Sequence, residues 1–232
     1  MAAIYDLDSP WGADRDFYLS IAGRTPIDIL DVGCGTGLLC DAYAARGHRA
    51  VGVDPTQAML DVAREKPHGS EIEWIKAGAQ EFRVHRLFAL AIMTGHAFQV
   101  LLYDDDIRTA LRNIHHHLRP GGRFIFESRN PAVNWSTRWN YDQTFEVEGM
   151  EVLQETRCIE PMRNERIRFE HRYRFPDETL VSVSVLRFLG NDQIVELLDE
   201  AGFETISVLG DWRGRAYNPA TSDEMIFIAR RS

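Results

Sequence analysis

Lysine and cysteine are scarce in this chain, and long apolar runs are missing from it. Of its 26 basic residues all but Lys66 and Lys76 are arginine, and 35 acidic residues outweigh them to a formal charge of −9. A general nucleic-acid binder carries a basic excess, so DNA and RNA are disfavoured as partners, and only a local arginine face remains open to an anion. Cys34, Cys40 and Cys158 are odd in number and lack metal-ligand spacing, which implies free thiols in a reducing cytoplasm. No stretch nears the ~20 apolar residues of a membrane span. The segment Met1–Asp6 is too acidic and too poor in apolar residues for a signal peptide. The expected location is cytoplasmic, without a membrane partner, and an oligomer is compatible with the sequence.

What is present is an ordinary globular composition, 44% apolar and 26% charged over 232 residues. That length suits one sizeable domain with room for an inserted subdomain. Residues 1–26 read as an acidic, aromatic arm with a helix over 14–22. The spacing then predicts strands at 27–32, 49–53, 71–76 and 88–94 and helices at 37–46, 56–65 and 105–118. Ile107, Leu111, Ile114 and Leu118 give the last of these its apolar stripe. Pro120-Gly121-Gly122 should stop that helix and lead into a strand at 123–127. Such alternation means a parallel sheet covered on both faces.

The pattern changes from about residue 143 to 189. In Arg166–Phe175 the residues Ile167, Phe169, Tyr173 and Phe175 alternate with Arg166, Arg168, Glu170, Arg172 and Arg174. Turn signals at Pro161–Asn164 and Pro176–Glu178 bracket this period-two run, as an antiparallel insertion requires. A helix at 191–201 and strands at 204–209 and 224–229 close the chain. The expected organisation is an arm or lid over 1–26, a core over 27–135 and 190–232, and an antiparallel β insertion over 136–189. His115-His116-His117 splay about 100° apart on a helix, so they cannot share one metal ion well and read as a partly solvated face.

The first strand run ends in Asp31-Val32-Gly33-Cys34-Gly35-Thr36-Gly37. Glycines there let the backbone approach a ligand and adopt unusual φ values. A dinucleotide loop needs a third glycine where Leu38 stands, and a P-loop needs a lysine that is absent. The alternative is a turn passing under the methionyl part of S-adenosylmethionine. On that reading Asp31 holds the region of the cofactor's ammonium group. Asp54, ending the second strand run, accepts both ribose hydroxyls.

These residues resemble the class I S-adenosylmethionine-dependent methyltransferases. Asp31–Gly37 matches their first motif, Val53-Asp54 their acidic second motif, and Leu118–Gly122 their turn before strand five. The resemblance spans about 27–130, with the 190–230 pattern fitting the family's last helix and two strands. It implies an α/β fold with a seven-stranded, mostly parallel, Rossmann-like sheet, and S-adenosylmethionine as methyl donor. It also implies a cofactor site made by Asp31, Gly33, Cys34, Gly35, Gly37, Asp54, Pro55, Met59, Ala79, Gln80 and Thr94. The family's acidic residue after strand three is replaced by Gly78 or Ala79, so Ala79 backbone or the Gln80 amide would read the adenine. Strand four begins Phe88-Ala89 where the family often has Phe-Asp.

Met93–Gln99 and Ser128–Pro131 partly resemble the small-molecule N-methyltransferases of the glycine N-methyltransferase type, with His96-Ala97 replacing Asn-Ser. By that resemblance His96, Gln99, Arg129 and Asn130 face the acceptor, Arg129 with a planar fork suited to a carboxylate. His96 is the candidate general base, because an unperturbed imidazole titrates near ~6.5. A histidine bridging a loop is the competing role. The expected function is methyl transfer to nitrogen or oxygen of a small-molecule acceptor. A protein or RNA methyltransferase and a catalytically inactive cofactor-binding regulator are the alternatives. The arm's Tyr5, Trp11 and Tyr18 suit either a lid or packing anchors, and Asp211–Tyr217 suits an acceptor-pocket wall.

Overall fold

The computed structural model of the chain describes residues 2–147 and 149–232, apart from the side chain of Ala3. Two short helices, α1 (Tyr5–Asp8) and α2 (Ala13–Ile21), form the arm. The α/β rhythm then runs β1 (Asp28–Val32), α3 (Leu38–Ala45), β2 (Arg49–Asp54), α4 (Gln57–Arg64), β3 (Glu73–Lys76), β4 (Phe88–Met93), α5 (Asp104–His117) and β5 (Leu118–Arg129). After a single helical turn, α6 (Trp135–Arg138), come β6 (Asn140–Val147), β7 (Met150–Arg163), β8 (Arg166–Arg174) and β9 (Thr179–Arg187). The chain returns to the core as α7 (Asn191–Glu200), β10 (Phe203–Leu209) and β11 (Glu224–Arg231).

The main sheet has the order β3-β2-β1-β4-β5-β11-β10. Strands β1 to β5 pair in parallel, and β11 inserts antiparallel between β5 and β10. Because strand side chains alternate faces, Leu30, Val32, Val51 and Val53 pack towards α5 and α7. Ile29, Leu90, Ile92, Ile125 and Ile226 pack on the other side with Tyr18 of α2 and Leu39 and Tyr43 of α3. The α5 stripe is buried as its spacing requires, and each such aliphatic side chain contributes about 1.5–3 kcal/mol by burial. Asp104, Asp105 and Asp106 lie in its first turn and three histidines in its last, the polarity a helix dipole favours.

The predicted elements over 27–118 form within a few residues of their expected bounds, and three local readings change. Pro120-Gly121-Gly122 ends α5 but lies inside the run of β5, where the pairing with β4 shifts register and Gly121 takes φ 73°. Pro161 lies within β7, and the hairpin instead turns at Asn164 and Glu165, both at positive φ. His117 is not solvated. It is buried against Phe82, accepts from the Val84 N–H at Nε2 and reaches the Asn113 carbonyl from Nδ1. Among the described residues no cluster suits a metal ion, and no helix is long and apolar enough to cross a membrane.

The insertion is the antiparallel sheet β6-β7-β8-β9. Its outer face carries Arg168, Arg172 and Arg174 in ion pairs with Glu160, Glu170 and Glu155, as a solvated face does. On its inner face Ile167, Phe169 and Leu186 pack on Trp135 and Trp139. Arg187 ties β9 to the core by an ion pair to Asp104 of α5 (2.5 Å) and to the β7–β8 turn by one to Glu165 (3.0 Å).

Candidate active site

The carboxyl ends of β1 and β2 meet at the glycine loop. The Gly33 and Cys34 N–H groups both donate to the Val53 carbonyl, at 2.7 and 3.0 Å, which folds the loop back over β2. Gly33, Gly35 and Gly37 take φ of 79°, 55° and 74°, the left-handed region that L side chains resist. A Cβ on Gly37 would stand 2.5 Å from the Trp74 ring, so close packing excludes a side chain there. Asp54 receives the Gly35 N–H at 3.0 Å on one oxygen and the Thr56 N–H at 2.8 Å on the other. A carboxylate has about four acceptor positions, so two remain for a diol.

Asp31 is fully buried, and burial pushes its carboxyl up to about 7. One oxygen receives the Cys40 thiol at 3.5 Å, while Oδ1 is buried without a partner among the described residues. A buried, unpartnered carboxylate oxygen beside a left-handed glycine loop fits a cationic group such as the cofactor's ammonium. Beyond β3, the Ala79 carbonyl is taken by the Asn113 amide at 3.0 Å. The Ala79 and Gln80 N–H groups make no hydrogen bond among the described residues, and Met59 is half-buried in α4. These residues fit an adenine read by backbone groups. Pro55 is exposed at the rim, and Thr94 is partly buried after β4.

The arm lies over this loop. The Tyr5 ring approaches Gly35 and its hydroxyl approaches Gly95, each within 4 Å of the position a Cβ would take. Asp6 accepts from Thr36 Oγ1 and pairs with Lys66 beyond α4, while Asp8 accepts from Tyr173 of the insertion at 2.8 Å. Of the other arm aromatics, Tyr18 is buried and Trp11 is largely exposed.

The loop after β4 brings the acceptor candidates together unevenly. His96 takes φ 60°, a conformation uncommon for a non-glycine residue. Glu127 holds it there, accepting the His96 N–H at 2.8 Å while its other oxygen accepts from the Tyr18 hydroxyl. Glu127 is fully buried, and burial raises its carboxyl above the usual range. The imidazole Nε2 lies 2.9 Å from Glu224 Oε2, at the start of β11. A cavity of about 460 Å³ opens beside Glu224 and is lined by Trp212, Arg215 and Asp223 among others. The loop 211–217 thus lines this cavity, whose other walls include none of His96, Gln99, Arg129 and Asn130.

Arg129 lies over Trp139 (5.0 Å) and Trp135 (5.6 Å) and makes no ion pair among the described residues. Two expected contacts change here. Gln99 is buried and spends both ends of its amide within the protein, reaching the Arg187 carbonyl and accepting from Arg129 Nη1, each at 3.0 Å. It orients Arg129 rather than facing a ligand. Asn130 is buried too, donating to the Pro219 and Ser222 carbonyls and accepting from the Ala132 N–H and the Tyr217 hydroxyl. Its amide is saturated, so it braces the 217–223 loop instead of meeting an acceptor. Glu224 went unnoticed in the sequence; its only signal is an acid heading an otherwise apolar strand.

The strand order and the position of this site define an α/β fold of the class I methyltransferase type, with its ligand loop at the carboxyl ends of β1 and β2. Residues 29–122 match the family described as "Methyltransferase domain". The chain is 33% identical over 109 residues to a ubiquinone biosynthesis O-methyltransferase of Saccharophagus degradans, a match covering 45% of each chain. It spans about half the length of the curated relatives it matches. Among solved structures it is similar to an S-adenosylmethionine-dependent methyltransferase of Clostridium acetobutylicum (TM-score 0.82, 16% identity, covering 100% of this chain and 97% of that one). It is also similar to CalS10, an amino pentose methyltransferase of Micromonospora echinaspora (TM-score 0.77, 22% identity, covering 99% and 97%). At such identities these likenesses show the fold. Residues 29–122 thus match a methyltransferase domain, on a fold of the class I methyltransferase type.

Proposed function

We propose that the whole protein transfers a methyl group from S-adenosylmethionine to nitrogen or oxygen of a small-molecule acceptor. The observation that carries this reading is the arrangement of the buried Asp31 and of Asp54 around a left-handed glycine loop at the carboxyl end of the sheet. Asp31, Gly33, Cys34, Gly35, Gly37 and Asp54 would hold the cofactor, with Met59, Ala79 and Gln80 at the adenine and Pro55 and Thr94 at the rim. Bound there, the cofactor supplies a methyl carbon on a sulfonium, whose departure as a neutral thioether is already favourable.

The protein's task is then alignment and proton removal. His96 would accept the acceptor's proton, and Arg129 would hold an anionic group of the acceptor by a bidentate contact. The arm would exclude water above the loop. Relatives and fold neighbours named as O-methyltransferase and amino pentose methyltransferase support a small acceptor of either kind.

The test is release of S-adenosylhomocysteine across a panel of amines, amino acids, amino sugars and phenols. Turnover confined to one chemical class supports the reading. Turnover only on protein or RNA, or tight cofactor binding with no turnover on any acceptor, would replace it.

A further inference from the structure

Glu224 and His96 lie 128 positions apart, yet an imidazole nitrogen of one and a carboxylate oxygen of the other stand at 2.9 Å. Both side chains are mostly buried, with 17% and 15% of their surface exposed. That degree of burial matters, because an exposed histidine–carboxylate pair would be screened to little effect. The contact uses Nε2. Nδ1 makes no hydrogen bond among the described residues, so a ring held in the Nε2–H tautomer would keep a bare lone pair on Nδ1.

The loop that carries His96 is fixed from both sides. Ala97 Cβ lies 2.9 Å from where a Cβ on Gly33 would stand, and the Tyr5 hydroxyl lies 3.9 Å from where one on Gly95 would, so His96 sits between an approach to the cofactor loop and an approach to the arm. The Glu127 carboxylate clamps its backbone N–H, in a left-handed conformation that costs free energy for any residue with a side chain. Such strain persists only where the surroundings enforce it.

We propose that Glu224 is the positioning residue of a His96–Glu224 pair, accepting the Nε2–H so that Nδ1 takes the acceptor's proton. This rests on the methyltransferase reading and deepens it. The N–H or O–H bond of the acceptor breaks, its electron pair stays on the acceptor as the attacking lone pair, and the proton forms a bond to Nδ1. The imidazolium so formed is stabilised by the Glu224 carboxylate and afterwards loses its proton to water. Glu224 touches no reacting atom.

Among the described residues, the titratable and charged groups that act on the pair are Glu127 of β5, which faces both His96 and Glu224, and Arg129 of β5 and Tyr18 of α2, which face Glu224. Glu127 acts on the backbone and is held by Tyr18, so it fixes where the ring is. Glu224 is the group that fixes which nitrogen carries hydrogen. The antiparallel pairing of β11 with β5, in which Glu224 faces Arg129, brings it there.

The pair is tested on the free protein by nitrogen NMR of the histidine rings, with the His96 signal identified by its loss in His96→Gln. The expected result is the Nε2–H tautomer for His96 in the unaltered protein, and a downward shift of its titration midpoint by roughly one unit in Glu224→Gln, as removal of a close opposite charge requires. The acid limb of the kcat/KM profile should move down with it, while affinity for S-adenosylhomocysteine stays within about twofold. An Nδ1–H tautomer, or a midpoint unmoved in a folded Glu224→Gln protein, would overturn the proposal. The tautomer is read without any variant, so a Glu224→Gln protein that does not fold leaves the test intact. Neither NMR readout needs cofactor or acceptor, so failure of the pair is distinguishable from failure of the methyltransferase reading, which calorimetry with S-adenosylhomocysteine tests separately.

Discussion

Asp31 is a carboxyl in a place that disfavours its charge, and this sets how stability depends on pH. Its folded-state value of about 7 is above that of an unfolded aspartate. Below about pH 4 it is protonated in both states and takes nothing from the stability of the fold. As pH rises through 7 the unfolded chain has already ionised, so the folded state loses stability. Asp31→Asn should therefore raise the melting temperature of the ligand-free protein at pH 8, shrink its decline between pH 5 and 8, and weaken cofactor binding. An unchanged decline would mean that another group carries it; Glu127, also raised by burial, is the remaining contributor. Arg129 calls for a different variant. Arg129→Lys keeps the charge but loses the fork and the flat stacking on Trp139, so KM for an anionic acceptor should rise by about tenfold, the equivalent of ~1.4 kcal/mol, with affinity for S-adenosylhomocysteine unchanged. Steady-state kinetics beside calorimetry separates the two.

At the scale of elements, what the sequence made legible and what it hid divide by range. Strand and helix periodicity are local, so β1 to β5 and α3 to α5 could be read within a few residues, and so could the insertion's alternation. The glycine loop was legible because its chemistry is contiguous. The acceptor side was not, because it is assembled by pairing across the chain. The β11 strand carries Glu224 to His96, and the loop before it saturates Asn130, which looked free in a linear reading. Gln99 likewise turned inward because β9 delivers the Arg187 carbonyl to it. The arm is the element whose role is most open to measurement. Asp6 bridges Thr36 and Lys66, and Asp8 reaches Tyr173, so α1 spans the cofactor loop and the insertion. Asp6→Ala should raise the dissociation rate of S-adenosylhomocysteine several-fold, read by stopped-flow displacement. Global stability should change by under about 1 kcal/mol, since a partly exposed ion pair contributes little. A large loss of stability with an unchanged dissociation rate would make the arm a packing anchor instead of a lid.

For the whole molecule, a mostly parallel seven-stranded sheet carries the glycine loop at its carboxyl edge, and a second, antiparallel sheet of four strands is inserted before its last two strands. Everything functional in this account depends on the loop of Gly33 to Gly37 and on Asp54 binding S-adenosylmethionine. The most direct measurement is a calorimetric titration of S-adenosylhomocysteine into the unaltered protein and into Asp54→Ala. The account expects saturable binding at one site, weakened in the variant by about 1.5–3 kcal/mol, the scale of hydrogen bonds to a charged group. Absence of binding, or equal affinity in the two proteins, would contradict it.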